Sequence, residues 1–172
     1  MDIANLRSLV GAAIAAARVE ELALYGPDDA PVFSDPRLPF VQALVLEFDL
    51  VDGRTIRFIP VQNDDDWSMF AVWSGPDKPS CVSDLSSSIL RARTMVEFPA
   101  GRIEAIESAP DGPGHRSITL RIDGRDVILC AGEVYENIDN SLTIHQDDES
   151  VLVFLHAEAY RRTIFRQPFF LE

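Results

Sequence analysis

Two short acidic segments contain the residues of this chain whose types best suit the binding of a cation or of a basic partner. They read NDDDW (63–67) and QDDES (146–150), and their candidate residues are Asp64, Asp65, Asp66, Trp67, Asp147, Asp148 and Glu149. Carboxylates bind hard cations such as Ca²⁺, but consecutive residues of an extended chain point in opposite directions and rarely converge on one ion. Aromatic side chains are enriched at interface hot spots. We therefore interpret both segments as contacts for a basic protein, with solvated turns and metal sites as the alternatives.

The second half of the chain lacks positive charge over a long interval. Between Arg125 and Arg161 there is no lysine or arginine, whereas the interval contains Glu133 and Glu136 in addition to the second acidic segment. Such an interval predicts a negative face that its own neighbours do not neutralise. A face of this kind would steer a basic protein toward the site. Glu133 and Glu136 are therefore also predicted to bind the partner, and a solvated edge is the alternative.

An enzymatic, ligand-binding or metal-binding site is the main alternative to a protein-binding surface. His145 could lie on a strand beside Glu133 and Glu136, which would bring an imidazole and two carboxylates together near Cys130. The histidines show no HExxH or HxH spacing, and the cysteines show no CxxC spacing. The sequence therefore predicts no catalytic residue, no metal-ligand set and no cofactor.

The composition limits the classes of partner. The formal net charge of −13 argues against nucleic acid, because phosphate binding requires clustered lysine and arginine. It argues equally against an anionic membrane surface. A length of 172 residues with 47% hydrophobic residues indicates one folded domain with a real core rather than a disordered chain.

The first residues of the chain predict a helix. Apolar side chains fall close to one helical stripe at Ile3, Leu6, Val10, Ile14, Ala17 and Leu24. We expect an amphipathic helix over residues 1–25. The alternative is a cleaved signal peptide, which is disfavoured because the acidic Asp2 lies where a signal peptide has basic residues. Two cysteines are too few for a disulfide framework, so we expect buried free thiols and a cytoplasmic protein.

A first β-hairpin is predicted where apolar and polar residues alternate on both sides of Gly53. A three-residue loop over residues 51–53, with Gly53 in the left-handed conformation, places apolar residues opposite one another. A two-residue loop would set Glu47 against Phe58 instead. The predicted pairs are Leu46 with Phe58, Phe48 with Ile56, and Glu47 with Arg57.

The tripeptide Asp-Gly-Arg, which spans residues 52–54 at this first loop, recurs at residues 123–125 and predicts a second hairpin. Here a two-residue turn at Asp123 and Gly124 matches the side chains better. The predicted pairs are Leu120 with Val127, Ile118 with Leu129, and Arg121 with Asp126.

These elements predict a single α+β domain over residues 1–172. It comprises an N-terminal amphipathic helix (1–25), a proline-rich arm (26–40) and a mainly β region (41–172) that forms a curved, mainly antiparallel meander of hairpins. The function predicted is a non-enzymatic acidic module that binds a basic protein, of which an inhibitor or immunity protein is one concrete form. A homodimer or structural subunit joined through Phe169 and Phe170 is a further alternative.

Overall fold

The computed structural model describes residues 2–25, 30–63, 66–75, 89–111 and 114–166. Within these ranges the chain forms two short helices and twelve strands: α1 (Asp2–Arg7), β1 (Ala13–Leu22), β2 (Leu24–Tyr25), β3 (Pro31–Val32), β4 (Val41–Leu50), β5 (Thr55–Asn63), β6 (Asp66–Ser74), β7 (Leu90–Thr94), β8 (Gly101–Asp111), β9 (Gly114–Ile122), β10 (Arg125–Glu136), β11 (Leu142–Phe154), α2 (Ala157–Arg162) and β12 (Phe165–Arg166). None of the described helices has the length and apolar character that a membrane span requires.

Ten of the strands form one sheet that closes on itself. Its order is β10-β11-β4-β5-β6-β9-β8-β1-β7, and β12 lies beside β11. The further pairings of β1 with β4 and of β9 with β10 join strands that are not neighbours in this order, and they close the sheet. The pairings are antiparallel, apart from the parallel contact of β12 with β11. The mainly antiparallel sheet predicted from the sequence is therefore confirmed. The predicted meander is wrong, because strands far apart in sequence, such as β11 and β4 or β8 and β1, are neighbours in the sheet.

The main core lies on the inner face of this closed sheet. Alternate residues of the long strands point inward, so Leu46, Phe48, Ile56 and Phe58 are fully or almost fully buried together. Burying one such side chain stabilises the fold by about 2 kcal/mol. A second apolar group, here called the outer cluster, lies on the opposite face of β10 and β11. It includes Leu24, Phe40, Ile128, Cys130, Val134, Leu152 and Phe154.

The predicted N-terminal helix is wrong, and with it the α+β fold class. Helix α1 ends at Arg7, and residues 13–22 form β1, which pairs with β4 on one side and with β7 and β8 on the other. A bulge between Ile14 and Ala16 leaves the buried Ile14 and Ala17 three residues apart, a spacing that resembles a helical stripe. Pairing on both edges satisfies the backbone of this strand and overrides the helix propensity of its alanines. The fold is mostly β.

Both predicted hairpin registers are confirmed. In the first hairpin Glu47 lies opposite Arg57, and Gly53 has a φ of 85°, as the three-residue loop requires. In the second hairpin Arg121 lies opposite Asp126 across a turn with φ values of 45° and 75° at residues 123 and 124. The four predicted apolar pairs are present as well. The turn residues and the alternation of side chains were therefore sufficient to set the register.

Candidate functional site

The second acidic segment forms a bulge in the middle of β11. Ala131 pairs with Val151, and the next residue of β10, Gly132, pairs with Gln146. Residues 147–150 therefore leave the ladder between these two pairs, and Asp147 adopts a positive φ of 59°. The hydroxyl of Ser150 donates a hydrogen bond to the carbonyl oxygen of Gly132 and ties the bulge to β10. QDDES thus interrupts a strand, whereas the sequence had indicated a position between elements.

The bulge separates its three acids. Asp147 is only 7% exposed, and its Oδ2 lies 3.2 Å from Nε of Arg116 in an ion pair. Asp148 and Glu149 instead approach Glu133 of β10, and one carboxylate oxygen of each residue lies within 4.8 Å of the other two. Glu133, Asp148 and Glu149 are called the acidic cluster below. Of the second acidic segment, Asp148 and Glu149 join this surface and Asp147 is held in an internal ion pair.

Tyr135 supports the acidic cluster, and sequence reasoning did not select it. Its hydroxyl donates a hydrogen bond to Oδ2 of Asp148 at 3.1 Å. Burial raises the pKa of Glu133 to about 7, and the negative charges of Asp148 and Glu149 act in the same direction. Burial, together with the charge of Glu133, likewise raises the pKa of Tyr135, so its hydroxyl keeps the proton that it donates. The site therefore brings three carboxyl groups together, and their mutual repulsion and burial disfavour the ionised form of Glu133.

The acidic cluster, which is half-buried at Glu133 and Asp148 and exposed at Glu149, differs from the fully buried acids in having no arginine partner. Glu47 pairs with Arg57, and Glu21 lies 2.8 Å and 2.7 Å from Arg91 and Arg93. Although burial opposes it, hydrogen bonds from these two arginines lower the pKa of Glu21. In the described part of the chain, by contrast, no lysine or arginine forms a salt bridge with any of the three cluster carboxylates. An outside cation would therefore meet a charge that the fold itself leaves uncompensated.

The alternative site predicted from Glu133, Glu136 and His145 is not assembled as one group. Glu136 accepts a hydrogen bond from Nη2 of Arg37 at 3.3 Å. His145 lies opposite Glu133 in the ladder, and its ring packs edge-on against Tyr135 with centroids 5.0 Å apart. The metal-ligating groups that converge in the described ranges are those of the acidic cluster, which could hold a hard divalent cation. Neither Glu136 nor His145 is part of that convergence.

Cys130 is a buried thiol of the outer cluster. Burial raises its pKa well above the ordinary value, which disfavours the thiolate that nucleophilic chemistry requires.

The first acidic segment lies at the end of the hairpin formed by β5 and β6. Asn63 pairs with Asp66, and the half-buried Trp67 pairs with Gln62. Asp64 and Asp65 are outside the described residues, as is the side chain of Asp66. Phe169 and Phe170, the predicted dimer contacts, are outside them too, so the contacts predicted there stay predictions.

A cavity of about 310 Å³ adjoins the acidic cluster. Its lining includes Leu22, Leu24, Gln42, Glu133, Val134 and Tyr135. Gln42 is only 5% exposed, and its Oε1 has no hydrogen-bond donor within the described ranges. The buried Oε2 of Glu133 also lacks a donor there. Sequence reasoning missed Gln42 because it is a single polar residue in a strand pattern.

A larger groove of about 700 Å³ between α2 and β11 has the opposite charge character. Its lining includes three arginines, Arg37, Arg162 and Arg166, and one acid, Glu158, so positive charge is in excess there. This groove therefore does not suit a basic partner.

Comparison of the chain with protein-family models, curated protein sequences and solved structures gave no significant match. The functional interpretation therefore depends on the geometry of the site.

Proposed function

We propose that this protein is a non-enzymatic binding module that engages a basic protein partner through the acidic cluster. The observation that supports the proposal most strongly is the convergence of Glu133, Asp148 and Glu149. One carboxylate oxygen of each residue lies within 4.8 Å of the other two. The fully buried acids Glu21 and Glu47, by contrast, have arginine partners. A partner's lysine or arginine would supply the countercharge that the cluster lacks.

The overall charge of the protein favours the same class of partner. A net charge of −13 attracts a basic protein over a distance and accelerates its association. The short-range contact then falls on the cluster, where a bound cation would favour the ionised form of Glu133 against the burial that raises its pKa. An inhibitor or immunity protein that neutralises a basic protein is one concrete form of this function.

Affinity capture from the native cell extract at low salt tests the proposal. The wild-type chain is compared with Asp148→Asn/Glu149→Gln and with a matched control, Glu104→Gln/Glu107→Gln, which removes two exposed carboxylates from β8. We expect the wild type and the control to retain one stoichiometric basic partner that high salt releases. The cluster variant should associate with that purified partner about five- to tenfold more slowly. Equal association rates for the cluster variant and the control would contradict the proposal.

A divalent cation is the second candidate ligand of the acidic cluster. Calcium–oxygen distances of about 2.4 Å place the oxygen ligands of one ion at most about 4.8 Å apart, which matches the cluster. Calcium titration followed by thermal unfolding tests this candidate. A rise in melting temperature that disappears in Asp148→Asn/Glu149→Gln would support calcium binding, and an unchanged melting temperature would exclude it.

A further inference from the structure

Two residues that line the cavity beside the acidic cluster each carry a hydrogen-bond acceptor that the described residues do not satisfy. One is Oε1 of Gln42, and the other is Oε2 of Glu133. Both atoms are buried, and both residues line the cavity. Buried acceptors of this kind are unfavourable unless a donor is supplied. A ligand that brings donors into the cavity would remove this penalty.

Gln42 occupies a position where the fold itself would favour an apolar residue. It lies on β4 directly opposite Leu152 of β11, on the face that carries the outer cluster. Leu24 and Val134 of the same cluster line the cavity with it. A leucine at this position would avoid the buried amide altogether. The amide of Gln42 is therefore better explained by recognition of a ligand than by packing within the outer cluster.

The shape and lining of the cavity indicate the chemistry of its ligand. A volume of about 310 Å³ lies at the lower end of small-molecule sites, which suits a single long side chain. Leu22, Leu24 and Val134 provide apolar walls for an aliphatic stem. The ring of Tyr135, which is 42% exposed, can contact a cation. Two unsatisfied acceptors require a head group that only donates, and guanidinium is such a group.

We propose that this cavity receives an arginine side chain of the basic partner. The aliphatic stem lies along Leu22, Leu24 and Val134. The side chains of Gln42 and Glu133 turn so that Oε1 and Oε2, which are buried in the free protein, accept hydrogen bonds from the guanidinium. Arginine fits better than lysine because its planar fork can serve two acceptors at once. This inference rests on the proposed function, since it names the anchoring residue of the same partner.

Binding of n-butylguanidinium to the whole protein tests the inference directly. In an amide-resolved NMR titration, we expect shifts at Gln42, Glu133 and Val134, with n-butylurea as the neutral control of the same shape. Gln42→Leu should weaken n-butylguanidinium binding about tenfold or more, the usual effect of losing a buried hydrogen bond to a charged group. Glu104→Gln/Glu107→Gln should change it less than about twofold, since that pair is exposed on β8.

Equal binding of n-butylguanidinium and n-butylurea would overturn the inference, as would unchanged binding to Gln42→Leu. Thermal unfolding of Gln42→Leu verifies that any loss of binding occurs in a folded protein.

Competition with the captured partner separates failure of the inference from failure of the proposed function. If the inference holds, n-butylguanidinium displaces the partner and Gln42→Leu weakens partner binding. If Asp148→Asn/Glu149→Gln weakens partner binding while Gln42→Leu and n-butylguanidinium have no effect, the arginine anchor is wrong and the proposed function stands. If n-butylguanidinium binds but the extract yields no basic partner, the proposed function is wrong. The ligand of the cavity would then be a free alkyl cation, and the proposal of a partner's arginine in this cavity would be overturned as well.

Discussion

The carbonyl oxygen of His145 lies 2.6 Å from the position that a Cβ atom would occupy on Gly132. Real Cβ atoms do not approach a backbone oxygen this closely, so the two strands can pass here only with glycine on β10. The contact occurs where residues 147–150 leave the ladder. Gly132 therefore sets the origin of the bulge that carries Asp148 and Glu149 toward Glu133.

Replacement of Gly132 by alanine tests this dependence. We expect Gly132→Ala to lower the free energy of unfolding by about 2 kcal/mol, because the backbone of β11 must move to admit the methyl group. Urea denaturation measures the change. Gly75→Ala is the matched control, since no atom of the described residues lies within 4 Å of the position that its methyl group would take. It should change stability by less than about 0.5 kcal/mol. Equal stability of the two variants would show that the close approach does not constrain β10.

The buried ion pair of Glu47 and Arg57 should be sensitive to the loss of one partner. Glu47 is fully buried and also lies 3.3 Å from Nη2 of Arg18. Glu47→Ala removes the buried carboxylate with which Arg57 pairs, so we expect a loss of about 3–5 kcal/mol in urea denaturation. The exposed pair of Arg121 with Asp126 is the control, and Asp126→Ala should cost less than about 1 kcal/mol. Similar losses of stability for Glu47→Ala and Asp126→Ala would show that the buried pair is no more sensitive to the loss of one partner than the exposed pair.

Glu133 should make stability fall as the pH rises. Burial and the charges of Asp148 and Glu149 raise its pKa to about 7 in the folded state, against 4.5 for an ordinary glutamate side chain. The folded state therefore binds more protons between these values, and stability present below about pH 4.5 is lost as the pH passes 7.

The variant Glu133→Gln removes this titration. At pH 8 we expect it to be more stable than the wild type by about 1 kcal/mol, a figure reduced for the partial solvent screening of this half-buried group. At pH 4 the difference should vanish, because both carboxyl and amide are then neutral. Glu104→Gln is the control, because it removes a carboxylate from an exposed position of β8. His145 and Tyr135, which also adjoin the site of Glu133, are unchanged in both variants. A stability difference that does not vary between pH 4 and pH 8 would contradict the prediction.

Gln42→Leu should stabilise the protein while it weakens binding. Removal of a buried amide without a donor recovers about 1–2 kcal/mol, which thermal unfolding would register as a higher melting temperature. Gln62→Leu, at an exposed position of β5, is the matched control and should change stability by less than about 0.5 kcal/mol. A lower melting temperature for Gln42→Leu would show that the amide has a structural role.

The elements that sequence reasoning predicted correctly are those whose information is local. Gly53 determines one loop, and Asp123 with Gly124 determines the other, because few residues tolerate positive φ. The pairing of Glu47 with Arg57 followed, since only one register placed opposite charges together and apolar side chains on the same face. Composition and charge likewise indicated a folded acidic protein without help from the structure.

What the sequence determined by itself is therefore the two hairpin registers and the acidic character; the tertiary structure decided how they are combined. Residues 13–22 became a strand because two neighbouring strands pair with it, a long-range effect that alanine propensity cannot reveal. Glu133 and Asp148 meet only because the register of β10 and β11 shifts at Gly132, and a glycine inside a strand was the single local sign of that shift. Gln42 reaches the same cavity through pairing of β4 with β11. Such sites depend on contacts between residues far apart in sequence, and side-chain periodicity describes only neighbours.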